Sequence, residues 1–157
     1  TQHSHAETGR VAAEYEPGLA AILAEVAQDE ARHFVFYRSV FEEILARDPN
    51  QALESASHIL PGIEMPGASM PGFRDFADVI RRTGIYGPRD YLRIVQEQIR
   101  YWKIESLTGL NDMGRKAQES IMLIPDRLRR LADLVETRSR AKTFSFDVAF
   151  NREFSLP

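Results

Sequence analysis

Glu30 and His33 stand three residues apart, a spacing that sets a carboxylate and an imidazole side by side on one face of a helix. The surrounding residues say which face. Between Leu19 and Leu45, apolar side chains recur at three- and four-residue steps: Leu19, Ile22, Leu23, Val26, Tyr37, Val40, Phe41 and Ile44. That is the period of a long helix with one buried stripe. Four residues past Val26 lies Glu30, three more reach His33 and four more reach Tyr37, so both polar groups fall on the stripe. An ionised carboxylate among apolar side chains is costly unless it is paired or bound to a metal. A Glu-x-x-His pair projecting into a bundle core is the half-site that carboxylate-bridged di-iron proteins draw from each of two helices. A hydrogen-bonded Glu–His core couple, with Asp29, Arg32 or Arg38 as further partners, answers the same pattern. A solvated surface pair is the commonest outcome of this spacing alone.

The elements that must position this pair follow from periodicity and breakers. A first helix is expected over residues 2–15, closed by Pro17-Gly18. The long helix spans about 17–47, with Glu30 and His33 facing inward beside Val26 and Tyr37. Asp48 caps a short helix over about 51–60, with Pro49 in its first turn. A loop with three Pro-Gly steps follows over residues 61–72. Helices are then expected over 73–83, closed by Gly84, and over 88–104, with Tyr91, Ile94, Val95, Gln98 and Trp102 on one side. Leu107-Thr108-Gly109-Leu110 reads as a turn and Asn111 or Asp112 as the next cap. Pro125 divides the last helical stretch in two, ending near Arg140. Phe144, Phe146 and Val148 alternate with polar residues, the period of a small C-terminal β-hairpin. The fold class expected is all-α with that hairpin.

Composition narrows the chemistry. The 157 residues, 43% of them hydrophobic, suffice for one core. A net charge of -3 gives no general attraction to nucleic acid or to anionic membrane. The absence of cysteine excludes disulfides, thiolate metal sites and thiol catalysis within the chain. No apolar run approaches the roughly 20 residues of a membrane-spanning helix. Arginine outnumbers lysine 17 to 3, a bias of GC-rich, bacterial coding sequences.

Longer blocks carry a resemblance. Ser4-His5 with Thr8-Gly9-Arg10, Asp29-Glu30-Ala31-Arg32-His33, Asp48-Pro49 and Met65-Pro66 recur in order. Trp102-Lys103-Ile104, Leu107-Thr108-Gly109-Leu110, Lys116-Ala117-Gln118 and Pro125-Asp126-Arg127-Leu128-Arg129-Arg130 follow, then Phe144-Ser145-Phe146 and Phe154-Ser155-Leu156. Together they resemble the C-terminal half of the soluble acyl-[acyl-carrier-protein] desaturases. The Trp-Lys…Leu-Thr-Gly-Leu and arginine-rich blocks are far more specific than Glu-x-x-His alone.

The resemblance implies a ferritin-like helical bundle holding two iron ions. Residues 1–157 would form the C-terminal portion of one such domain. The N-terminal helices and their ligands would lie outside this chain, which alone would be inactive and would bind no stoichiometric iron. In the intact enzyme Glu30 would be the bridging carboxylate and His33 the terminal imidazole. Asp29 and Arg32 would form the polar shell behind them, Asp29 orienting the histidine of the opposite motif. Thr1 matches a threonine whose hydroxyl lies on the oxygen-binding side, and His5 would lie close behind it. Glu7 replaces the family's asparagine, a departure within that shell. Phe73 matches a position lining the lower acyl tunnel.

The activity implied is O2-dependent insertion of a cis double bond into an acyl chain carried by acyl carrier protein, with electrons from a ferredoxin-type donor. A homodimer is implied, in the bacterial cytoplasm, or in the plastid for a plant source. Arg127, Arg129 and Arg130 form a basic face, solvated by default, to which an acidic carrier would be drawn. The rival readings are a ferritin-like iron-binding protein and a non-catalytic desaturase paralogue.

Overall fold

The computed structural model describes the backbone of residues 1–62, 69–139, 144–146 and 152–154. Seven α-helices account for most of it: α1 (Gln2–Ala12), α2 (Pro17–Arg47), α3 (Pro49–Ile59), α4 (Phe73–Arg82), α5 (Pro88–Tyr101), α6 (Asp112–Met122) and α7 (Ile124–Ser139). Two short strands, β1 (Phe144–Phe146) and β2 (Arg152–Phe154), pair antiparallel with Phe144 opposite Phe154. The expected Met65-Pro66 loop and the segment joining the strands, with Val148, lie outside the described residues. No described helix is long and apolar enough to cross a membrane.

Helix boundaries follow local chemistry. Pro17 opens α2 at a position where its missing N–H costs nothing. Asp48 ends α2 and caps α3 through a bond from the Gln51 N–H to its side chain at 3.0 Å. Asn111, rather than Asp112, caps α6 by accepting from the Gly114 N–H at 2.9 Å. The helix expected over 88–104 stops at Tyr101, because Lys103 turns left-handed at φ +50° and Ile104–Ser106 tighten into a 3-10 turn. The Gln118 amide holds that turn by donating to the carbonyls of Ile104 at 2.7 Å and Leu107 at 3.1 Å.

The core belongs to the C-terminal helices. Leu53 of α3, Val95 of α5, Ile104, Ile121 of α6 and Ile124 of α7 are essentially fully buried. With Leu45, Leu60, Leu92, Ile99 and Leu128 they form one apolar cluster. α3 packs on α6, and α5 on α7. Arg89 of α5 clasps Asp133 at 2.8 Å and also Glu136 of α7, which raises its already high pKa. Most of α2 stands outside this cluster, and its first half packs along α1.

α1 and α2 form an antiparallel helical hairpin, and Gly9 sets its closeness. A Cβ added there would lie 3.3 Å from the Leu23 side chain and 3.5 Å from the Ala20 carbonyl. Hydrogen on Gly9 therefore lets the two backbones approach, which brings the start of α1 beside the middle of α2.

Candidate metal centre

Thr1 Oγ1 donates to Glu30 Oε2 at 2.6 Å, joining the N-cap of α1 to the middle of α2. That hydroxyl is the largest of the influences on Glu30 and holds its carboxyl below the ordinary range. Partial burial opposes the shift, and His33 and His5 add to it. Glu30 is thus an anion at neutral pH. His33 Nδ1 lies 4.0 Å from the same Oε2, so the two donors face one region of space.

The inward orientation expected for both donors holds only for Glu30. Its side chain is 29% exposed, whereas His33 is 66% exposed. Tyr37, expected inward beside them, is 68% exposed, and the stripe from Leu19 to Ile44 is exposed at Leu19, Ile22, Val40 and Ile44, as expected of a chain whose covering helices lie outside it. The physical reason is coverage. A stripe built on three- and four-residue steps is wider than the side of α2 that α1 and the C-terminal core cover.

Asp29 and Arg32, expected to support the centre, pair with each other on the surface of α2. His5, one turn along α1 from Thr1, has its Nδ1 buried without a hydrogen-bond partner. Phe73 opens α4, half-buried, with its N–H bonded to the Met70 carbonyl at 3.2 Å. The structure therefore assembles Thr1, Glu30 and His33, sets His5 behind them, and leaves Asp29 and Arg32 paired outside.

The donor set fits half of a two-motif iron site. One carboxylate and one imidazole of borderline hardness suit iron, and their i, i+3 placement matches a single Glu-x-x-His contribution. Among the described residues no group of three or more histidines and carboxylates is arranged to hold a metal. The fit is to a shared site, with further ligands required.

An apolar cavity of about 460 Å³, lined on α2 from Phe34 onward, lies between α2, α3 and α5. Phe34, Phe41, Ile44, Ile59, Val95 and Trp102 supply much of its wall. The face expected for α5, from Tyr91 through Trp102, is the face turned toward it. Two polar atoms on its lining residues lack partners, Nε of Arg38 and Oε1 of Gln98. The Arg38 guanidinium stacks on the Tyr101 ring at 3.9 Å, and Trp102 Nε1 donates to the Arg38 carbonyl at 3.1 Å. Periodicity located Gln98 and Trp102 on this side, but not Arg38 as the residue Trp102 bonds.

Comparison with known proteins gives the family. A model of fatty acid desaturases, "Fatty acid desaturase", matches residues 1–150. A chloroplastic stearoyl-[acyl-carrier-protein] 9-desaturase of Gossypium hirsutum is 34% identical over 163 residues, 98% of this chain and 41% of that protein. The same-named protein of Olea europaea is 35% identical over 162 residues, 98% of this chain and 42% of that protein. A chloroplastic acyl-[acyl-carrier-protein] desaturase of Cucumis sativus is 32% identical over 162 residues, with 98% and 41% covered. The chain spans about two fifths of the length of these curated relatives. With a family match running through Thr1, Glu30 and His33 and almost to the end of the sequence, the chain belongs to the fatty acid desaturase family.

Proposed function

We propose that the intact protein is an O2-dependent desaturase that inserts a cis double bond into an acyl chain carried by acyl carrier protein. The observation that carries this reading is a Thr1–Glu30–His33 arrangement followed along α2, from Phe34 onward, by the wall of an apolar cavity. The names of the matched relatives supply the substrate class. Glu30 and His33 would hold their half of a two-iron centre, completed by ligands from outside this chain. Bound there, the irons would supply the activation of O2; the reaction balances as two hydrogens from adjacent methylenes, two external electrons and two protons reducing one O2 to two waters.

The chain's own residues prepare that chemistry. Thr1 Oγ1 holds its proton toward Glu30 Oε2, fixing the carboxylate's rotation and keeping it anionic. His33 offers an imidazole nitrogen from the next turn. The cavity's apolar wall, with neither Asp nor Glu among its lining residues, suits the methylenes of an acyl chain. In this reading His5 backs Thr1, Asp29 and Arg32 complete the outer polar shell, and Phe73 lines the far part of the acyl path. The carrier protein docks on the α7 arginines, a ferredoxin-type protein delivers the electrons, and the enzyme is a cytoplasmic homodimer.

The test is product analysis of the full-length protein supplied with a carrier-bound saturated acyl chain, O2 and a reduced ferredoxin. A carrier-bound monounsaturated product is expected. Iron uptake with no double bond formed would favour the iron-binding reading. Neither iron uptake nor product would favour the non-catalytic paralogue.

A further inference from the structure

We propose that His3 is a positioning residue, which with Asp90 and Tyr86 pins the stretch of α1 that carries Thr1 and so fixes the Thr1 hydroxyl against Glu30. The consequence for catalysis rests on the desaturase reading above. The mechanical claim does not.

The Thr1 hydroxyl reaches across to Glu30 of α2, so its place depends on how this stretch of α1 is held. A helix turns by about 100° per residue, so residues two apart point to nearly opposite sides. Thr1 faces α2, and His3 faces the other way.

On that other side stands the start of α5. His3 Nε2 lies 3.2 Å from Asp90 Oδ1, and its ring meets that of Tyr86 at 6.1 Å in a tilted arrangement. Both partners are held independently of α1. Asp90 Oδ2 accepts the Gly87 N–H at 2.9 Å in a capping arrangement, and Arg93 reaches Oδ1 at 3.4 Å. Tyr86 is half-buried, and burial, with Tyr91 and Asp90 nearby, pushes its hydroxyl pKa up. α5 itself is anchored by Leu92, Val95 and Ile99 in the core cluster. By contrast, among the described residues α1 contributes none to that cluster. The His3–Asp90 contact thus ties the turn bearing Thr1 to the rigid part of the protein, 87 residues further along the chain. A hydroxyl only two residues from that tie moves when the tie is cut.

The experiment uses the full-length enzyme with two variants that cut the pair from opposite ends, His3→Leu and Asp90→Asn. The asparagine oxygen still accepts from the Gly87 N–H, so α5 keeps its start. In the iron-loaded enzyme either variant is expected to leave KM within about twofold and to lower kcat about tenfold, the low end for losing an outer-shell partner. Thr1→Val is expected to lower kcat also. Adding His3→Leu to it is expected to change nothing further, because His3 acts through Thr1. In the iron-free protein, hydrogen exchange at the His5 amide, which is bonded to the Thr1 carbonyl at 3.1 Å, is expected to quicken in both variants while α5 exchanges as in the wild type. Unchanged His5 exchange in both variants would overturn the proposal. So would losses in kcat that simply multiply in the Thr1→Val background. A wild type that forms no double bond would defeat the desaturase reading, and the exchange measurement on iron-free protein would still decide the role of His3.

Discussion

Replacing Gly114 by alanine sets helix propensity against packing, and the structure decides the winner. Gly114 lies in the first turn of α6, where α6 crosses the start of α3. Alanine is favoured over glycine in a helix by about 1 kcal/mol. A Cβ at this position, however, would stand 2.3 Å from Asn50 Oδ1, 3.1 Å from its Cγ and 3.3 Å from its Cα. The clash with the side chain requires Asn50 to rotate away, and the closeness to its backbone requires the helices to part slightly. Overpacking of this kind costs about 1–3 kcal/mol. Rotation of Asn50 also breaks its bond from the Asn111 N–H, now 2.9 Å, at a cost of about 1 kcal/mol. The costs exceed the propensity gain by about 1–3 kcal/mol. Urea denaturation of the intact protein, followed by far-ultraviolet circular dichroism, is expected to show Gly114→Ala destabilised by that amount. Adding Asn50→Ala removes the clashing side chain, so the double variant is expected to lose less than the sum of the singles. A Gly114→Ala protein as stable as the wild type would refute the packing argument.

Asp78 gives a pH-dependent counterpart. Burial resists its ionisation, but hydrogen bonds from Arg81 and from Arg82, the latter at 2.8 Å, prevail and hold its carboxyl below the ordinary 3.8. A depressed carboxylate stabilises the fold above its unfolded-state value and loses that contribution as pH falls through its native value. Asp78→Asn is therefore expected to lower stability at pH 7 by less than about 1 kcal/mol, with the difference shrinking below about pH 4; a difference that grew in acid would contradict this. The 157 residues expressed alone expose Leu19, Ile22, Tyr37, Val40 and Ile44 along one side of α2. Such a continuous apolar face is expected to drive self-association, visible by sedimentation at micromolar concentration; a monodisperse monomer that melts cooperatively would show otherwise.

Much of the helical framework was legible because its signals are local. Pro17, Asp48-Pro49, Gly84 and Asn111 announce helix ends by backbone chemistry that needs no tertiary context, and the helices end there. Lys103 was not legible, since nothing in a lysine signals a left-handed backbone that ends α5 three residues early. At the candidate site, Glu30 and His33 were found from spacing and Thr1 from the resemblance. Their exposure was not, because a periodic stripe tells which face is apolar but not what covers it. The His3–Asp90 contact joins residues 87 positions apart, with no periodicity connecting them. Gly9 falls in a recognisable block, yet its reason, the close approach of Leu23, appears only once α1 lies on α2.

Whether Glu30 and His33 supply half of a two-iron centre is decided by metal analysis of the purified full-length protein. The wild type is expected to hold about two irons per chain, and Glu30→Ala and His33→Ala are each expected to lose iron and desaturase activity while keeping near-native helix content. Wild-type iron content and full activity in either variant would contradict the assignment.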